Sequence, residues 1–255
     1  LSRISVIADD SMRGRNTPSP GLEKTAQYLA DNYKKWGLKP AGENGTYFQN
    51  YTMVRRRPDL AASYFVADEG GNVTTYKFDK WAIPAGPMSG KPITGALHII
   101  AGALTVKDIE PMTLAGKMVF WVQNAARAAD NGTVARAIAA KAPAAVIVLT
   151  NQDPTIFAAR QKQSQLGRAG LEGFPVNGVP ALTIHDSIFA NDPNAANRPN
   201  WNELRMAAGA IVMDAPVGVS VTLLLKDVEI SRFTAPNVVA MVPGSDPTLK
   251  NEYVV

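Results

Sequence analysis

The sequence predicts a mixed α/β to α+β chain with a β-rich middle section, on three observations. Leu22–Trp36 carries apolar residues at 22, 26, 29, 33 and 36, steps of four and three that lay them along one helical face. Lys117–Val122, the Ala-rich Thr133–Lys141 and Ala145–Leu149 read as strand, helix and strand, an order that favours a parallel pair. Short apolar runs of strand length recur elsewhere, separated by glycine and proline.

Taken in order, the first helix starts at Ser19 or Pro20 and stops at Gly37, which suits a left-handed cap. Tyr47–Val54 alternates as a strand. Ser63–Val66 and Val73–Phe78 flank Asp68-Glu69-Gly70-Gly71-Asn72, a hairpin signal. From residue 79 onward, Pro84, Gly86, Pro87, Gly90, Pro92 and Gly95 exclude a regular helix. Ala96–Ile100, Val179–Ile184 and Val219–Leu225 have the length and apolarity of buried strands. Arg160–Val179 reads as one long polar, Gly-rich loop, a length that usually carries function. Thr234–Asp246 reads as a strand and a turn, and Glu252–Val255 as the opening of a second strand. An unfinished sheet edge invites aggregation, so the expectation is the front part of something longer.

A chain of 255 residues has room for about two domains and a sizeable core. Its hydrophobic fraction of 46% and charged fraction of 19% are ordinary for a globular protein. The net charge of +4 is scattered, and Arg55-Arg56-Arg57 is the one tight cluster. Without interleaved aromatics it reads as a solvated connector rather than a nucleic-acid surface, so no nucleic-acid partner is expected. The absence of cysteine excludes disulfides and thiolate metal sites. No apolar run approaches the roughly 20 residues needed to span a bilayer. The first residue is Leu, so a segment ahead of it, such as a signal peptide, is expected to be missing. Asn-x-Thr tripeptides at Asn44, Asn50, Asn72 and Asn131 read as chance.

Residues 9–21 (DDSMRGRNTPSPG), the helix after them, Trp36–Gly42 and Gly45–Tyr51 follow in a distinctive order. That order resembles the N-terminal part of the co-catalytic di-zinc aminopeptidases, the family that includes glutamate carboxypeptidase and the transferrin receptor. Residues 235–247 (APNVVAMVPGSDP) resemble its first sheet strand. Glu252–Val255 is similar to the start of the next strand, which in the family runs into a His-x-Asp zinc motif. The resemblance covers residues 1–57 and 226–255. Between them, GKMVFWVQ (116–123), AIAAKAPAAVIVLT (137–150) and GVPALTIHDS (178–187) resemble a protease-associated domain. Ala142-Pro143-Ala144 departs from that domain's usual Gly-Ala. The implied organisation is an N-terminal helix–strand segment of the peptidase domain at 1–79, a protease-associated domain at 80–225, and the truncated start of the peptidase sheet at 226–255.

The resemblance implies a zinc-dependent exopeptidase, an aminopeptidase before a carboxypeptidase, that is extracytoplasmic and acts on peptide or protein substrates. Two zinc ions would be held by two histidines and three carboxylates, with a glutamate as general base and a bridging water made acidic by the metals. The only histidines here, His98 and His185, lack His-x-Asp spacing and read as strand histidines. No catalytic or metal residue is therefore assigned to this chain, zinc is expected only in the full-length parent, and the chain alone is expected to be inactive. His185-Asp186-Ser187 does not read as a triad, because neighbours on a strand face opposite ways and no Gly-x-Ser-x-Gly elbow is present. Arg13 and Arg15 are the substrate-binding candidates, since in the family this segment lies near the active-site approaches. The competing reading of Arg15 is a structural salt bridge or helix cap, with Gly14 permitting positive φ. One hypothesis is that the Arg160–Val179 loop overhangs the cleft and helps choose substrates, to be tested by deleting 165–177. Two rivals remain: a binding module on a peptidase-like scaffold, as in the transferrin receptor, and a protease-associated domain from another hydrolase such as a subtilase. The Arg13–Arg15 and Asn237–Gly244 segments argue against the second.

Overall fold

The computed structural model describes residues 2–190, 192, 198–249 and 252. Its helices are α1 (Ser2–Ala8), α2 (Pro20–Lys35), α3 (Val106–Ile109), α4 (Ala128–Ala140), α5 (Pro154–Ser164) and α6 (Trp201–Met206). Its strands begin with β1 (Lys39–Pro40), β2 (Phe48–Pro58), β3 (Tyr64–Glu69), β4 (Asn72–Lys77) and β5 (Ala82–Ala85). They continue with β6 (Ile93–Gly95), β7 (Leu97–Gly102), β8 (Met118–Gln123), β9 (Ala145–Thr150) and β10 (Arg168–Leu171). The last five are β11 (Ala181–His185), β12 (Ala210–Asp214), β13 (Val219–Leu224), β14 (Asp227–Val238) and β15 (Ala240–Met241). Two compact units divide the chain: Leu1–Arg55, Ala169–Phe174 and Ser231–Val255 form the smaller, and Arg56–Arg168 with Pro175–Ile230 the larger.

In the smaller unit, α2 has the ends its sequence predicts. The Ser19 hydroxyl accepts from Leu22 N at 3.1 Å, and Pro20 sits in the first turn, where its missing N–H costs nothing. At the other end Gly37 takes φ +74°, and the amides of Gly37 and Leu38 bond back to Lys34 O and Tyr33 O. That pairing is a Schellman cap. The buried face centres on Gly21, Thr25, Ala26 and Ala30. Trp36 is exposed, with the Arg3 guanidinium 4.3 Å above its ring. β1 pairs with β15 in antiparallel register, Lys39 opposite Met241. The order β10-β2-β14 leaves β14 at a sheet edge, and Ala235 is its one buried residue.

The larger unit stacks two sheets. One has the order β12-β7-β8-β9-β11-β5, with β7, β8, β9 and β11 parallel and both edge strands antiparallel. The other is antiparallel, ordered β4-β3-β13-β6. The central strands read as unbroken apolar runs because both of their faces are covered. Met118, Phe120 and Val122 join Ile99, Ala145, Ile147 and Leu149 in a core shared with Phe65, Tyr76, Val221 and Leu223 of the second sheet. The intervening Val119 and Trp121 point the other way, with Ile100 and Val146, into a second core closed by Ile109 of α3 and Val134 and Ile138 of α4. Burying each such side chain stabilises the fold by about 1.5–3 kcal/mol. Gly102 ends β7 at φ +82°, and a Cβ there would stand 2.2 Å from Gly209 O, so no other residue makes this turn without displacing backbone.

The expected β8–α4–β9 unit and the β3–β4 hairpin are present. The hairpin lies in the larger unit, because β3 pairs with β13 along Tyr64–Glu69. Arg55-Arg56-Arg57 is strand rather than connector: β2 runs on to Pro58, and Arg56 pairs with Asp227 at 3.5 Å and Glu229 at 3.8 Å. Arg160–Val179 is not one loop. Asp153 accepts from Thr155 N and Ile156 N and Pro154 follows it, which starts α5 and carries helix through Ser164, while Arg168–Leu171 is strand. The expected second strand at 252–255 lies outside the described residues except for Glu252. Among the described residues no helix is long and apolar enough to cross a membrane.

Candidate functional site

The two sheets of the larger unit do not close completely. A cavity of ≈ 230 Å³ opens between them. Its floor is built from inward positions of the strands: Leu97 and Ile99 on β7, Phe120 on β8 and Ile147 on β9. Phe65 and Ala67 on β3, Tyr76 on β4 and Val221 on β13 face them. Phe189 and Trp201 complete the aromatic wall, with stacked rings 5.9 Å apart, and Tyr76 meets Phe189 edge-on at 5.4 Å. The exposed Pro199 and Pro216 stand at the rim.

One end of this apolar chamber is charged. Arg198 and Glu69 both line it, and they form an ion pair. Arg198 Nε also donates to Asp192 Oδ2 at 2.9 Å, and its Nη2 donates to the Tyr76 hydroxyl at 2.9 Å. That hydroxyl donates in turn to Asp192 Oδ2 at 2.8 Å. Burial, and then the hydrogen bond to Asp192, pushes the Tyr76 hydroxyl well above the usual phenol range, so it stays a donor. Burial also holds the Arg198 pKa below its usual value. Two carboxylates against one guanidinium leave the cluster with a formal charge of −1 when all three are ionised.

Both histidines are engaged elsewhere. His98 Nδ1 meets Asp214 Oδ1 at 2.7 Å across the β7–β12 pair, and that contact holds the Asp214 pKa below its usual value. His185 Nδ1 accepts from Ser187 N at 3.0 Å, which places its proton on Nε2, where it donates to Gln152 O at 2.8 Å. Its ring stacks on Trp81, with centroids 4.7 Å apart. Contrary to the strand geometry expected of it, Ser187 does reach His185, with Oγ 3.0 Å from Nδ1, because β11 ends at His185 and a 3-10 turn follows. The turn does not assemble a triad. Asp186 binds Arg205 through both oxygens, at 2.8 and 2.9 Å, and Arg205 is 2% exposed. No group of three or more His, Asp or Glu able to hold a metal ion exists among the described residues. The imidazoles are committed to protein partners, so the described residues do not fit a zinc centre.

Arg13 and Arg15 are exposed at the surface of the smaller unit. Arg13, Gly14 and Arg15 take φ +48°, +69° and +54°. The cap of α2 is Ser19, not Arg15. What pins this segment is Met12, buried beside Thr25, whose hydroxyl reaches its sulfur at 3.6 Å. A Cβ on Gly21 would stand 1.8 Å from Met12 O, so the glycine of Pro20-Gly21 lets the two segments touch. The cavity residues were not among the sequence candidates. Glu69, Tyr76, Asp192, Arg198 and Trp201 come from separate stretches, and no local spacing links them.

No family model matches the chain, and no curated protein matches it. Among solved structures it is similar to an aminopeptidase from Aneurinibacillus sp. strain AM-1, at 18% identity and a TM-score of 0.35, over 90% of this chain and 44% of that one. It is also similar to a peptidase M28 precursor from Shewanella amazonensis SB2B, at 12% identity and a TM-score of 0.32, over 89% of this chain and 46% of that one. The chain spans less than half the length of either protein.

Proposed function

We propose that this chain is the non-catalytic front part of a zinc-dependent exopeptidase, an aminopeptidase by its motifs, in which the larger unit, residues 56–168 and 175–230, serves as the protease-associated domain expected at 80–225, extended by the β3–β4 hairpin, and binds or gates peptide substrate. The observation that carries the reading is the cavity. It offers apolar walls and a charged end, which suit recognition. The motif order of residues 9–51 and 235–247 supports a peptidase parent. Zinc, and the hydrolysis it assists, would belong to the whole protein.

Ala215 lines the cavity and is half-buried, so Ala215→Phe fills the mouth without disturbing the core. In the whole protein this substitution is expected to change the ratio of kcat/KM values between peptides while leaving zinc content unchanged. An unaltered ratio across a peptide panel would rule out substrate gating by this domain. The second reading, a binding module on a peptidase-like scaffold, draws on the commitment of both imidazoles to protein partners. A whole protein that binds peptide but takes up no zinc would favour it.

A further inference from the structure

The cavity has the size of one ring. A dry cavity of about 150 Å³ takes one benzene, and sites for drug-sized ligands start at about 300 Å³. At ≈ 230 Å³ this one holds a single substituted ring. Its walls suit an aromatic guest: Phe65, Phe120, Phe189 and Trp201 line it, and the rings of Phe189 and Trp201 are stacked. Aromatic pairs gain from offset and edge-on contacts beyond the area they bury.

The charged end is closed to a further charge. Each nitrogen of the Arg198 guanidinium is already engaged, Nε by Asp192, Nη2 by the Tyr76 oxygen and Nη1 by Glu69. Asp192 in turn holds the Tyr76 hydroxyl. The Glu69 and Arg198 side chains are 19% and 16% exposed, so neither partner is freer than the other. An incoming carboxylate meets two carboxylates already on Arg198, and an incoming ammonium must draw Glu69 away from it. Either must also leave water for an apolar chamber, which a neutral group does at far lower cost. The rim adds a third limit. Pro199 and Pro216 have no N–H, and the Ala215 amide already donates to Leu97 O at 2.9 Å. A peptide laid across the mouth therefore finds no main-chain donor at these three positions.

We propose that this cavity binds a free, neutral aromatic molecule of one ring, such as an aromatic alcohol, with the ring among Phe65, Phe120 and Trp201. The binding itself is independent of the peptidase reading. Its consequence for function rests on that reading: of the two roles given to the larger unit, the occupant selects gating, because peptide does not itself fill the cavity.

Titration of the chain at neutral pH with benzyl alcohol, benzylamine, benzoate and N-acetyl-L-phenylalaninamide tests it, read by the NMR shifts of the Ile99, Ile147 and Val221 methyl groups that line the cavity. Benzyl alcohol is expected to shift all three saturably, with a Kd of about 1 mM. The ammonium and carboxylate probes are expected to bind about tenfold or more weakly, because each breaks into a hydrogen-bonded charge pair. The blocked amino acid, which carries a peptide backbone, is expected to bind more weakly as well. Ala215→Phe fills the mouth and should abolish the shifts. No saturable shift with benzyl alcohol, a charged probe or blocked amino acid that binds as tightly, or undiminished binding by folded Ala215→Phe overturns the proposal. The probe comparison needs no variant, so it stands even if Ala215→Phe fails to fold. Failure of the peptidase reading shows separately, as a whole protein without zinc or turnover, whatever this titration gives.

Discussion

Replacing Arg198 by methionine keeps most of its length and removes its charge, so the variant isolates the ion cluster at the cavity. The Asp192 side chain is fully buried and Arg198 is 16% exposed, so water cannot replace the lost guanidinium. Removing one partner of a buried pair typically costs about 3–5 kcal/mol, because the other charge stays buried without compensation. Tyr76 still donates to Asp192 in the variant, which places the expected loss near the lower end, about 3 kcal/mol. For a chain of this size that corresponds to a fall of about 6–12 °C in Tm. Urea denaturation of the chain, Arg198→Met, Asp192→Asn and the double variant reads both the loss and the coupling. The double variant should be less destabilised than the sum of the singles by about 1 kcal/mol or more. A loss below about 1 kcal/mol with additive singles is the behaviour of an exposed pair, and would refute the buried cluster on which the cavity's charge rests.

Three further outcomes follow from the fold. Ile138 of α4 is 1% exposed against the central sheet, so Ile138→Ala should cost about 2–5 kcal/mol in chemical denaturation, and a change under about 1 kcal/mol would mean α4 does not pack there. Gly102→Ala meets Gly209 O and should destabilise well beyond Gly116→Ala, whose Cβ enters open space at φ +71° and whose cost is about 1–2 kcal/mol; equal melting temperatures would contradict the close approach. His98 lowers the Asp214 pKa, so the pair's contribution is present above the usual Asp value of about 3.9 and is lost as pH falls through the lower folded value. Asp214→Asn should therefore flatten the acid limb of a Tm–pH profile, and an unchanged limb would remove the pair from the account.

The central strands were legible in the sequence because burial on both faces leaves no polar interruption: Met118–Gln123 and Ala145–Thr150 stand out as apolar blocks. The helix at 20–35 was legible through its Ser19 cap and Gly37 stop. The edges were not. β5 contains Pro84, which reads as a breaker, yet it occupies a sheet edge, where one missing donor is tolerated. β12 at the opposite edge is short and largely exposed, and α5 has no apolar stripe, its one buried residue being Phe157. The cavity is harder still. Tyr76 and Asp192 are 116 positions apart, Tyr76 and Arg198 122 apart, and only the stacking of two sheets brings them together. The sequence candidates Arg13 and Arg15 came from the resemblance of their segment to a known motif, not from any pattern that links residues across the chain. The residues that build the site are ordinary members of a hairpin and of the segment before α6.

The most direct test of a non-catalytic binding unit is the zinc content and aminopeptidase turnover of the purified chain, measured on one preparation. The account predicts zinc far below one ion per chain and no turnover above buffer. Stoichiometric zinc together with chelator-sensitive turnover would contradict it.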